Sequence, residues 1–193
     1  MAVEIEAKMK LSDRAAMDAA LAAAGAVRVA ELHEVNTFYD TPQHALKSTD
    51  RGLRIRVEID QVSQDRRVII THKGPRAHGK LKSRSETELT VTSEADAAAM
   101  LSTLGYHPVL SFEKRRVRYD LDGCRVELDT LPYLGEFVEI EGPSDDAVLG
   151  VRAKLGLGHE PMVRASYIAM LSDFLRQQNI RTMHVGFEST VRV

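Results

Sequence analysis

The chain has 193 residues, 44% hydrophobic and 28% charged, with a formal net charge of −2. That balance describes a globular domain large enough for a real core, and it argues against a generally basic nucleic-acid-binding or membrane-coating surface. The lone Cys124 cannot form an internal disulfide, which predicts a reducing, cytoplasmic setting, and no apolar run is long enough to span a bilayer.

The first predicted element is a strand over residues 2–10, where "VEIEAKMK" puts Val3, Ile5, Ala7 and Met9 on one side and Glu4, Glu6, Lys8 and Lys10 on the other. "SDRAAMDAALAAAG" then reads as a helix capped by Ser12 and stopped by Gly25. Strands follow at 34–41, 52–60, 66–73 and 83–91, separated by two expected loops, "TPQHALKSTD" (41–50) and the basic "GPRAHGKLKS" (74–83). A second capped helix runs from Ser93 to Gly105, then strands at 114–121, 123–129 and 136–142. Two more helices are expected, one from Ser144 and one opening near Pro161. From Asn179 to Val193 the pattern allows a further short strand or an irregular end. The parallel between the strand–helix runs at 3–25 and 83–105 hints at two related halves.

Aligning the phases gathers the charge on one face. That face reads Glu4, Glu6, Lys8; Arg54, Arg56, Glu58; Arg67, Thr71, Lys73; Arg84, Glu86, Glu88; Lys114, Arg116, Arg118; Glu127, Asp129; Glu139, Glu141. The opposite phase is apolar, for instance Leu53, Ile55, Val57 and Ile59, and four helices are available to cover it. An open antiparallel sheet with one wet face satisfies this pattern. A closed barrel satisfies it too and removes the sheet edges, with the charges then lining a central cavity. Such an interior must be paired, hydrated or filled by a charged ligand. Clustered carboxylates suit a hard divalent cation, and several Arg and Lys facing them suit a polyphosphate. Metal with phosphate points to phosphoryl or nucleotidyl transfer.

The same residues carry a family resemblance. "VEIEAK" resembles the Glu-x-Glu-x-Lys opening of the CYTH superfamily, the triphosphate tunnel metalloenzymes. In order there follow "FYDTP", "LRIR", "THKGP", "KSRSETE", "EKRRVRYDL", "VELDTLPYLGEFVEIEG" and "ASY", so the resemblance runs from Val3 to about Leu171. It implies an α+β fold, a closed eight-stranded antiparallel β-barrel with helices packed outside, over residues 1–178, with 179–193 as a C-terminal extension. It also implies Mg2+ or Mn2+ on Glu4, Glu6, Asp129, Glu139 and Glu141. Lys8, Arg54, Arg56, Lys73, Arg84, Lys114 and Arg116 match the triphosphate-holding positions, and Glu4, Glu6, Lys8, Arg54, Arg56, Lys73 and Arg116 match the catalytic set. Glu86 and Glu88 match an acidic pair to which no role is assigned. Within the superfamily the chain looks most like the class IV adenylyl cyclase branch, which implies ATP converted to cyclic AMP and pyrophosphate. Hydrolysis of tripolyphosphate, thiamine triphosphate or nucleoside triphosphates is the alternative, and a non-catalytic polyphosphate or nucleotide binder the second. Phe38 then Tyr39 reverses the usual Tyr-Phe order of the family, and Gly52 replaces the usual Ala.

The remaining motifs imply less. His33, His44, His72, His78, His107, His159 and His184 share no metal-ligand spacing with Cys124, which itself sits beside Gly123 in a tight hairpin. "GPRAHGKLK" lacks the Gly-Lys-Ser/Thr ending of a phosphate loop and reads equally as a mobile basic loop near the tunnel mouth or as a solvated charge run. The alternate bases of "EKRRVRY" fall in the tunnel phase, so no nucleic acid is expected as a partner, nor a membrane; a homodimer stays open. Ser166 and Tyr167 read equally as a polar helix end or as packing and are left outside the predicted site.

Overall fold

The computed structural model describes residues 2–77 and 79–188. Met1, His78 and residues 189–193, the end of the tail, lie outside the described residues. The order is β1 (Ala2–Lys10), α1 (Arg14–Ala24), β2 (Val27–Asp40), α2 (Ala45–Ser48), β3 (Gly52–Asp60), β4 (Arg66–Ala77), β5 (Lys82–Val91), α3 (Glu94–Thr103), β6 (His107–Leu121), β7 (Cys124–Leu131), β8 (Gly135–Glu141), α4 (Asp145–Lys154), α5 (Tyr167–Gln177) and β9 (His184–Val185).

The long strands run antiparallel in the order β2-β3-β4-β5-β1-β8-β7-β6, and β6 pairs back onto β2 to close the barrel. The expected fold class is therefore the observed one. β9 adds a two-residue parallel pairing to β6, at Ser111↔His184 and Phe112↔Val185. Exchanging β1–β4 for β5–β8 leaves the strand order unchanged, and α1 and α3 each follow the first strand of their half. The two halves suggested by the sequence thus exist as a repeat of topology. Between β6 and β7, Asp122 and Gly123 both take positive φ, 49° and 74°, which is the tight-hairpin conformation that an Asp-Gly pair supplies cheaply.

Several boundaries differ from the sequence expectation, each for a local reason. β2 and β6 begin seven residues earlier than read, at Val27 and His107, because they pair with each other along their whole length. Register shifts between Arg28 and Ala30 and between Phe38 and Tyr39 break the alternation that would have shown it. The cap of α1 is Asp13, not Ser12: its carboxylate accepts the Ala16 N–H at 2.9 Å. The stretch 41–50 holds the short α2, whose Leu46 and Lys47 N–H groups donate to the Asp40 carboxylate. α5 starts at Tyr167 rather than near Pro161 because the preceding backbone is spent on β1: Val163 N–H donates to the Lys8 carbonyl at 2.7 Å. Ser166 then caps the helix. The basic stretch after β4 is shorter than read, since β4 reaches Ala77 and β5 starts at Lys82, and Leu81 is buried.

The apolar phase packs outward as expected. α1 and α4 cover Met9, Val126, Leu128, Val138 and Ile140, and α3 covers Ile55, Val57 and Val68 with Ala97 and Leu101. α5 does something else. Its Tyr167, Leu171 and Leu175 pack with Leu110, Phe112, Leu131 and Phe137. Those four share strand phase with the charged Lys114, Asp129 and Glu139, so α5 lies over one end of the barrel and stops it. The tunnel is charged along its length and apolar at that end.

Candidate active site

Alternation along each strand decides what enters the barrel. β1 sends in Glu4, Glu6 and Lys8, β3 sends in Arg54, Arg56 and Glu58, and β6 sends in Lys114, Arg116 and Arg118. With Lys73, Arg84, Glu86, Glu88, Glu127, Glu139 and Glu141 they line one cavity of about 930 Å³. Of the sequence-predicted site residues, only Asp129 is set behind that lining.

The cations and acids are interleaved. Lys73 Nζ lies 3.0 Å from Glu4 and also contacts Glu86. Lys82 pairs with Glu6, and Lys8 lies 3.6 Å from Glu139. Arg56 meets Glu58 at 2.9 Å and Glu34 at 3.5 Å. Arg116 is the most heavily engaged, with two bonds of 2.6 Å to Asp129, one of 2.7 Å to Glu139 and a contact to Glu127. Glu141 faces Arg125 at 3.6 Å. Arg84 reaches Asp50 at the rim, 3.5 Å away, where Asp50 also holds Arg76.

Burial sharpens these pairs. It lowers Lys73 to about 8, helped by Arg54 and opposed by Glu4, and it lowers Arg54 to about 10 with the help of Arg56. Burial also raises Glu6, and Glu139 and Glu4 push the same way. For Glu141 the causes are burial, Glu4 and Glu127. The carboxylates of β1 and β8 therefore repel one another, as their register demands: Glu6 stands opposite Glu141, and Lys8 opposite Glu139. Against burial, Asp129, Glu127 and Glu34 hold Arg116 well above its ordinary value.

Some buried donors stay unpartnered. Among the described residues, the Nε–H groups of Arg54, Arg56 and Arg84 are enclosed and have no hydrogen-bond acceptor. The same interior holds acceptors without a hydrogen bond on Glu34, Asn36 and Glu86, so the polar groups of the cavity wall are incompletely satisfied on both sides, which is costly.

The carboxylates suit a hard cation by chemistry, all being oxygen donors. Among the described residues, no three His, Cys, Asp or Glu already converge on a common metal position. The reason is visible in the pairing: Lys73, Lys82 and Lys8 each occupy one of the acids. Asp129 is fully buried, with Arg116, Lys114 and the Tyr167 hydroxyl on its oxygens.

The sequence reading missed three participants. Glu34 is fully buried on β2 and is shared by Lys114 at 3.2 Å and Arg56 at 3.5 Å. Its inward neighbours Asn36 and Phe38 are uncharged, so that strand showed no file of charge. Lys82 sat inside a stretch read as loop. Tyr167 lies on a helix, where no strand phase points to it. Outside the barrel, His33 and His184 flank Glu113 at 3.5 and 3.6 Å, away from the cavity lining. Cys124 is buried, and burial with Asp122 raises its thiol.

A model of the CYTH domain family matches residues 2–159. Adenylate cyclase CyaB of Aeromonas hydrophila is 34% identical over 174 residues, covering 85% of this chain and 86% of that protein. The structure of PH1819 from Pyrococcus horikoshii OT3 superposes with a TM-score of 0.75 at 27% identity, over 89% of this chain and 99% of that one. HpAC1 from Hippeastrum, described as having a dominant triphosphatase activity, shares the fold with a TM-score of 0.69 at 20% identity, over 89% of this chain and 96% of its own.

Proposed function

Because the chain belongs to the CYTH family, we propose that it is a divalent-metal-dependent enzyme acting on a triphosphate in this tunnel, of the class IV adenylyl cyclase type. The observation that carries the reading is that Arg54, Arg56, Lys73 and Arg84 line the same cavity as Glu4, Glu6, Glu139 and Glu141. Arg54, Arg56, Lys73 and Arg84 hold the phosphate chain through charge-assisted bonds, with Lys8, Lys114 and Arg116 on the opposite side. Glu4, Glu6, Glu139 and Glu141 would hold Mg2+ or Mn2+, their lysine partners then serving the phosphate oxygens. Asp129, engaged by Arg116, anchors that guanidinium rather than serving as a free metal ligand. When bound, the metal neutralises charge on the phosphate oxygens as a Lewis acid. The chain's own residues position the substrate, exclude water and absorb charge on the leaving group.

In the cyclase reading, the 3′-oxygen of ATP bonds to the α-phosphorus as the bond to pyrophosphate breaks, and the hydroxyl proton passes to a base. Hydrolysis of a triphosphate by water is the alternative, and the activity described for HpAC1 supports it. The single cysteine, with no disulfide partner, supports a cytoplasmic setting, and no described helix is long and apolar enough to cross a membrane.

Incubation with ATP and Mn2+ followed by separation of products tests the proposal. Cyclic AMP with pyrophosphate is the expected outcome; ADP with phosphate assigns the triphosphatase activity instead. Undiminished turnover in EDTA would remove the metal from the scheme.

A further inference from the structure

The family model ends at residue 159, and beyond it the Tyr167 side chain reaches the charges of the tunnel. Tyr167 is the first residue of α5, and the Ser166 cap fixes the helix start so that this ring enters the barrel end. Its plane meets Phe137 edge-on, with centroids 5.3 Å apart and an interplanar angle of 70°. Leu171, one turn on and fully buried, holds the same helix face down. The ring is thereby locked from two sides.

A core tyrosine usually points its hydroxyl at the nearest acceptor and does nothing more. Here the surroundings are different. The hydroxyl donates to Asp129 Oδ2 at 2.9 Å, the same oxygen that takes a 2.6 Å bond from Arg116 and lies 3.4 Å from Lys114. Two ammonium groups face the ring, Lys8 Nζ at 4.1 Å and Lys114 Nζ at 5.6 Å from its centroid. We propose that Tyr167 is a positioning residue: its hydroxyl occupies Asp129, and its face seats Lys8 and Lys114 where a phosphate chain can reach them.

Each half of the side chain has its own task. With the hydroxyl satisfying Asp129, Lys114 keeps only a long contact to that carboxylate and stays on the cavity wall, paired with Glu34 at 3.2 Å. Without it, the vacated lone pair draws Lys114 inward, away from an anion. The ring face supplies cation–π support to a Lys8 ammonium that has little solvent to fall back on. This rests on reading the tunnel as an anion site, and the test separates the two.

Binding of inorganic tripolyphosphate in EDTA, followed by calorimetry, is compared in the wild type, Tyr167→Phe and Tyr167→Leu. Tyr167→Phe is expected to weaken binding about fivefold and Tyr167→Leu about thirtyfold, the size of one and then two such contacts. In parallel, NMR follows the ammonium 1H–15N signals of Lys8 and Lys114, visible when the groups are held away from exchanging water. Tyr167→Phe should keep the Lys8 signal and move that of Lys114, while Tyr167→Leu should lose Lys8. A lower melting temperature with unchanged affinity and unchanged lysine signals would reduce Tyr167 to packing. A wild type that binds tripolyphosphate neither in EDTA nor with Mg2+ refutes the anion reading, and the lysine signals then decide Tyr167 alone.

Discussion

Glu34 shows how a single buried carboxylate organises this interior. It has no solvent at all, and burial by itself would push its proton affinity up. Lys114, Arg56 and Arg116 more than offset that and hold it well below the usual carboxylate range. Removing one member of such a cluster leaves buried charge uncompensated, which costs about 3–5 kcal/mol. Lys114 and Arg56 each keep a second acid, Asp129 and Glu58, so Glu34→Gln should fall at the low end, about 3 kcal/mol, in denaturant unfolding. The sign with pH follows from the depressed value. The Glu34 contribution is fully present above the unfolded glutamate range, near 4.5, and is lost as pH falls through the lower folded value. Acid unfolding of Glu34→Gln should therefore be less steep than that of the wild type. Matching acid transitions would mean that Glu34 is not held ionised.

At the level of elements, β9 is too short to stand alone, and its partners explain its presence. Val185 is fully buried in the cluster that contains Tyr167 and Leu171, so β9 buttresses α5 against the barrel end. Glu113 accepts the Phe187 N–H at 3.1 Å, and Arg115 sits over the Phe187 ring. Despite burial, that N–H together with His33 and His184 keeps Glu113 below its ordinary value. The part of tail docking that runs through ionised Glu113 is thus present above the usual glutamate range and is lost as pH falls through the folded value. Ending the chain after residue 181 should speed amide exchange in α5 while leaving β3 and β4 protected; equal protection of α5 would make the tail an ornament. The sequence allowed a short strand in the tail but gave neither its place nor its task, because a two-residue strand has no period to read. The charged file of β1 was legible, since strict alternation over Val3–Met9 survives into the structure. The early halves of β2 and β6 were not, for their register shifts spoil the alternation. Tyr167 escaped for a third reason: a helix end can place a side chain in a barrel without any strand pattern announcing it.

Over the whole molecule, a repeated topology carries unrepeated charge. β3 and β4 bring Arg54, Arg56 and Lys73 to the tunnel with one acid, Glu58, while β7 and β8, at the equivalent places of the second half, bring Glu127, Glu139 and Glu141 with one base, Arg125, and set Asp129 behind them. The barrel therefore has a mainly basic wall and a mainly acidic wall, joined through β1 and β5 by Lys73–Glu4, Lys82–Glu6 and Lys8–Glu139. A triphosphate that recruits those lysines strips the acids of their partners, and a partly desolvated carboxylate left alone is unfavourable by several kcal/mol. A divalent cation restores the balance, so the anion and the metal should bind cooperatively rather than independently. The ratio of tripolyphosphate dissociation constants without and with Mg2+, corrected for the complex the two form in water, measures this coupling. We expect a ratio of at least about tenfold in the wild type, equivalent to about 1.4 kcal/mol. In Glu4→Gln the ratio should fall toward one, because the acid that Lys73 leaves behind is gone. The same ratio in both proteins would show that the glutamates are paired for stability alone and that the metal, if it binds, is carried in by the phosphate.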